Sequence, residues 1–235
     1  MLLPAPSAGD VVFTVATTPV GDDGELAFLW GAYLPSEERH CVWWAHDRAE
    51  ERVAFAAFVD FVSGQLRADG EAHLYCYTPQ GASRLAAFAA SLGVREAEVD
   101  DLLRQRRCVD LSDVVKKSVR VSQRSYALSA LEPLYLGDDA QRWGGGESQP
   151  DGYAAYRRAC RAGDSRQAQA VQEALAARCA ASACRWRGCV TGWKNSGSTM
   201  GSWLDLHPPK RWGWTPASRS RLRPGGPQWR SGSGL

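Results

Sequence analysis

Three short apolar runs lie within the first 44 residues, each cut from the next by a turn, and this spacing constrains the fold more than any other feature of the chain. VVFTVA (11–16) is apolar and β-branched through both alternating sets of positions, as a strand buried on two faces requires. Gly21-Asp22-Asp23-Gly24 signals a turn, Leu26–Leu34 (LAFLWGAYL) a second strand, Pro35–Arg39 another turn, and Cys41–Trp44 a third strand. Strands so closely spaced predict an antiparallel meander.

The period then changes. Asp47 can cap a helix running to Leu66, with Phe55, Phe58, Val59, Val62 and Leu66 on one face. Gly70 ends that unit and His73–Tyr77 (HLYCY) reads as a fourth strand. Leu85, Phe88 and Leu92 mark a helix closed by Gly93. Further helices are expected over Arg95–Arg104, Leu111–Val121, Tyr153–Arg161 and Arg166–Ala177, with Gln141–Gly152 as a loop. The order predicts an α/β fold: a mixed sheet of three antiparallel strands and then a parallel one, flanked by helices. Val11–Ala16 should be central, between Leu26–Leu34 and His73–Tyr77.

A net charge of +2 conceals a split. Residues 1–175 hold 18 basic and 25 acidic side chains, whereas 176–235 hold 10 basic and one acidic, Asp205. Six of the ten tryptophans also fall in the second part. The chain therefore divides into a domain over 10–178 and a basic Trp/Pro/Gly/Ser-rich tail over 179–235, predicted to be disordered. Without a cohesive apolar face, such a tail cannot offset about 1–2 kcal/mol of backbone entropy per residue.

No run of about 18 apolar residues exists to span a membrane. The start, MLLPAPSAGD, lacks a basic n-region and is broken by Pro4 and Pro6, so a cytoplasmic location is expected. The seven cysteines contain no CxxC pair and read as reduced thiols. His40, His46 and His73 have no second ligand at zinc spacing. Ser125-Tyr126 has no nearby His–Asp partner, and Gly144–Gly146 follows no strand, so neither a triad nor a phosphate loop is read there.

Four longer blocks carry more information. HDRAEERVAFAAFVDFV (46–62), HLYCYTP (73–79), REAEVDDLLRQRRCVDLSDVVKKSVRVS (95–122) and SYALSALEPLY (125–135) together resemble the YprB-type ribonuclease-H-like domain, in the variant found within RecB-like nuclease/helicase proteins. The resemblance covers about residues 10–175. It implies a ribonuclease-H-like sheet and kinship with the DEDD 3′–5′ exonucleases, which hold two Mg²⁺ or Mn²⁺ ions on four carboxylates to activate water for phosphodiester cleavage. It also implies a nucleic-acid partner, DNA ahead of RNA, and a helicase domain or protein alongside. On this reading the chain is a piece of a larger protein.

Transferred residue by residue, the acids are missing. The family's first strand reads F-D-I-E-G-D-P, and here Thr14 and Ala16 stand at the first Asp and the Glu, with hydroxyls at Thr17 and Thr18. The next motif resembles H-Y-x-x-Y-E; Tyr77 is kept, but Gln80 and Gly81 replace the Tyr and the acid. The last acid should fall just beyond Leu175, where the chain reads LAARCAASAC. Hard cations need oxygen donors, so no resident metal is expected and activity is expected to be lost. Asp110, Ser125, Tyr126 and Glu132 agree with the family, and Ser129 replaces its usual Lys. With Tyr77, the residues Asp110, Tyr126 and Glu132 are the candidates for a residual substrate channel. The plainer alternative makes Asp110 the N-cap of the helix from Leu111 and Glu132 a solvated acid.

Two readings of the tail stay open. Read from the third base of each codon, Gly188–Met200 permits an amphipathic helix with leucines at four and three spacing, which the written frame lacks. Trp193 before Lys194 then forces Glu, and Met200 before Gly201 forces Gly. The tail is thus either a frame-shifted translation or a basic arm that clamps phosphates with Arg and stacks bases on Trp. Three functions follow: a catalytically degenerate exonuclease domain, a non-catalytic nucleic-acid-binding module, or a nuclease with unconventional ligands drawn from Asp10, Asp22 or Asp110.

Overall fold

The meander forms where the turns allow it. The computed structural model describes residues 4–20, 24–77, 81–118, 125–127, 130 and 149–175. β1 (Val11–Pro19), β2 (Glu25–Leu34) and β3 (Arg39–Trp44) pair antiparallel in succession. α1 (Arg48–Ala68) then crosses over to β4 (Leu74–Cys76), which lies parallel to β1. α2 (Gly81–Leu92), α3 (Glu96–Arg104), β5 (Cys108–Asp110) and α4 (Leu111–Ser118) follow, and α5 (Gln149–Arg161) and α6 (165–175) close the described chain. The sheet order is β3-β2-β1-β4-β5, with β1 central between β2 and β4 as its two-sided apolar pattern predicts.

Two features depart from the expectations. Cys108–Asp110 is a short parallel strand beside β4, not merely a lead-in to a helix. Three residues are too few to display an alternating pattern, so pairing alone defines them. The segment 149–152, expected in a loop, is the first turn of α5. Pro150 is compatible with it, because an N–H in the first turn has no helical acceptor anyway. Glu132, Asp22, Gln80, the 141–148 part of the loop and the whole tail lie outside the described residues.

Helices cover both faces. Val11 and Phe13 of β1 join Trp30 of β2 and the inward faces of α1, α2 and α3 in the largest apolar cluster. On the other face, Val12, Tyr33, Tyr75 and Val109 meet Leu111 and Val114 of α4. Farther along that face, Ala16, Leu26, Phe28 and Leu29 meet Tyr153 of α5 and Leu175 of α6.

A bulge separates these two groups. Ala16 pairs with Leu29 but Thr17 with Ala27, leaving Phe28 as the extra residue and placing Phe28 and Leu29 in the same cluster. The amide of Ala27 beside it donates to Glu51 Oε1 of α1 at 2.7 Å, and Arg48 Nη1 donates to Glu51 Oε2 at 2.8 Å. Glu51 is therefore a fully buried acid with a structural partner on each oxygen. Asp47 caps α1 as its sequence position suggests, accepting from the Glu50 amide at 2.8 Å. At the other end Arg107 donates to the carbonyls of Leu66 (2.8 Å), Asp69 (2.7 Å), Gly70 and Ala72 (3.0 Å), satisfying the orphan end of the helix.

Candidate functional site

In open α/β sheets the carboxyl ends of parallel strands are where sites form, and most of the residues singled out from sequence and described here gather at that end. Asp110 ends β5 opposite Cys76, the residue before Tyr77. Its Oδ1 accepts from the Ser112 amide at 2.8 Å and its Oδ2 from the Gly81 amide at 3.3 Å. The first is the N-cap bond of α4, and the second ties in the start of α2. Tyr77 Oη donates to the Tyr126 carbonyl at 2.6 Å, fastening the 125–127 segment to β4. The structure thus gathers Tyr77, Gly81, Asp110 and Tyr126 as a set of backbone ties.

Thr14 and Ala16 lie on the β1 face turned toward α5 and α6. Thr14 is half-buried opposite Gly31. Ala16 is buried among Phe28, Leu29, Tyr153 and Leu175. At the end of β1, Arg84 of α2 pairs with Glu25 at 2.7 Å and donates to Thr17 Oγ1 at 3.4 Å. A guanidinium and an apolar cluster offer no cradle for a hard divalent cation, which needs converging oxygens. Among the described residues no three of His, Cys, Asp and Glu converge on one point. Asp10 is remote from this end. It sits before β1, accepting from the amides of His73 (2.9 Å) and Ser7 (2.9 Å).

One group escaped detection in the sequence. His46 lies between two tyrosines of α5, with Nδ1 3.3 Å from Tyr153 Oη and Nε2 3.3 Å from Tyr156 Oη. Arg157 Nη1 donates to the His46 carbonyl at 3.0 Å. Tyr153 Oη donates onward to the Ala45 carbonyl at 3.5 Å. Burial, the largest influence, lowers the His46 pKa; nearby Glu50 opposes this and Arg157 reinforces it. Burial and the neighbouring Cys160 push Tyr156 up to about 12, keeping its hydroxyl protonated. No local motif could have joined His46 to partners more than a hundred residues away.

Fold and site together define an α/β protein with a five-stranded mixed sheet, helices on both faces and polar residues used largely as structural ties. No protein-family model, curated protein or solved structure matches the chain. Among the described residues, no helix is long and apolar enough to cross a membrane.

Proposed function

We propose that this chain is a ribonuclease-H-like, 3′–5′ exonuclease-type domain of a RecB-like nucleic-acid-processing protein in which metal-dependent chemistry has been replaced by apolar packing. The observation that carries the reading is the cluster around Ala16. The resemblance implies that Ala16 and the stretch just beyond Leu175 share one metal site. Their side of the sheet brings Ala16 and Leu175 into one buried cluster with Phe28 and Tyr153. The nearness of Ala16 to Leu175, the last described residue before that stretch, and the apolar character of the cluster support the reading. The central β1 and the crossover to parallel β4 are compatible with the same architecture.

Digestion of single-stranded DNA in Mn²⁺, and Mn²⁺ titration by calorimetry, test it. The expected result is no cleavage and no binding beyond that of an acidic surface; metal-dependent cleavage by purified protein would refute the loss of chemistry.

A second reading, a non-catalytic nucleic-acid-binding module, is favoured by the tail's nine basic residues and six tryptophans against one acid. DNA is the preferred partner over RNA, with a helicase domain or protein as the associated machinery. Binding that weakens steeply with salt, without cleavage, is its signature.

A further inference from the structure

The two edges of the sheet differ. β5, at one edge, has only three residues and runs directly into α4, leaving little backbone for another strand to pair with. β3, at the other, has six residues, RHCVWW, paired with β2 along their whole length without a bulge. It contains no proline and no lysine, and its single charge, Arg39, stands at one end. An edge this regular lacks the devices that keep a further strand away.

Backbone groups alternate in direction along β3. The Ala45 amide donates to the Phe28 carbonyl at 3.0 Å. Antiparallel alternation then turns the backbone groups of Trp43 and Cys41 toward β2 and those of Val42 and Trp44 away from it. No hydrogen bond to these outward groups of Val42 and Trp44 occurs among the described residues.

The flank beside this edge is apolar and partly open. Trp43 lies on the α1 side, where its ring meets Phe61 with centroids 5.3 Å apart. At helical spacing from Phe61 stand Ala57 and Val53. Phe61 and Ala57 are half-buried, and Val53 is 64% exposed, more than any other large apolar side chain described.

We propose that β3 is the seam of a homodimer: the β3 strands of two copies pair antiparallel about a two-fold axis at Trp43, and the two sheets continue as one. In this register Val42 of each copy exchanges both backbone hydrogen bonds with Trp44 of the other. Trp43 faces its own counterpart at a pair where cross-strand side chains come closest. Aromatic pairs and aromatic–β-branched pairs are among those that stabilise a sheet. Charge favours a second copy over an unrelated strand. The register runs Arg39 of each copy toward the segment following β3 of the other, where Asp47 and Glu50 stand, so opposite charges meet at both ends of the seam. α1 packs over both β2 and β3. With strands about 4.8 Å apart, the two α1 helices come to lie about 10 Å apart across the axis, near the distance of packed helices. The small side chain of Ala57 suits that approach, and Val53 and Phe61 gain apolar neighbours.

Sedimentation velocity of the full chain from about 5 to about 200 µM provides the test, because a seam of this kind lies at the small end of specific interfaces and gives a reversible dimer. The sedimentation coefficient should rise with concentration to the dimer value. Amide hydrogen exchange at Val42 and Trp44 should slow at least tenfold over the same range. Val42→Pro removes an outward amide without touching the β2 ladder and should weaken the dimer at least tenfold. Ala57→Lys sets like charges against each other across the axis and should do the same. Lysine is well tolerated at a half-exposed helix position, so this variant remains informative should Val42→Pro fail to fold. A chain that stays monomeric at the highest concentration would overturn the proposal. So would a dimer that both variants match, or one in which the Val42 and Trp44 amides exchange as fast as in the monomer, because another surface would then hold it.

Discussion

His40 shows how one residue's surroundings determine its chemistry. It stacks on Tyr33 at 4.3 Å and 20°, and burial lowers its pKa from 6.5 to about 4. The folded chain therefore keeps this ring neutral where the unfolded chain would protonate it. Its contribution is whole above pH 6.5 and is lost as pH falls toward 4, because the unfolded state takes up the proton first. The loss is at most about 3 kcal/mol. His46 acts in the same direction. Replacing His40 with Phe, which keeps a ring against Tyr33, should flatten the decline in urea stability between pH 6.5 and 4. An unchanged pH slope would show that His40 does not carry it. Asp110 makes the complementary point: a residue singled out from the sequence as a candidate site acid spends both carboxylate oxygens on backbone amides.

At the scale of elements, two charged side chains solve problems created by the backbone. The bulge at Phe28 leaves the Ala27 amide facing α1, where Glu51 accepts its hydrogen bond. Glu51→Ala should cost roughly 3 kcal/mol, since it strands both a buried amide and the Arg48 contact. A cost under 1 kcal/mol in chemical denaturation would show that the bulge needs no such partner. Arg107 does for the end of α1 what a glycine cap does elsewhere, gathering four carbonyls. Arg107→Ala is expected to lower stability by about 2–3 kcal/mol with little change in the denaturant slope. An unshifted midpoint would contradict that role. Neither partner is visible in the sequence, because Glu51 and Arg107 fit equally well on a solvated helix face or loop.

At the scale of the whole molecule, the cluster joining β1, β2, α5 and α6 limits which charges this side of the sheet can accept. Thr14→Asp lies at a half-buried position and should be tolerated. Ala16→Glu instead places a carboxylate among Phe28, Leu29, Tyr153 and Leu175. It should destabilise the protein by about 3–5 kcal/mol. Undiminished thermal stability of Ala16→Glu would mean that this region opens to water. The sequence by itself determined the α/β class, the central place of β1, the cap at Asp47 and the absence of acids at Thr14, Ala16 and Gly81. The first three depend on composition or on periodicity within a few residues, whereas the last is read only against the family pattern that the chain resembles. The pairing of β5, the bulge, the burial of Glu51 and the His46 group were decided only in three dimensions. Their partners are distant along the chain, and local propensity carries no information about a contact whose energy exists only once both elements have packed.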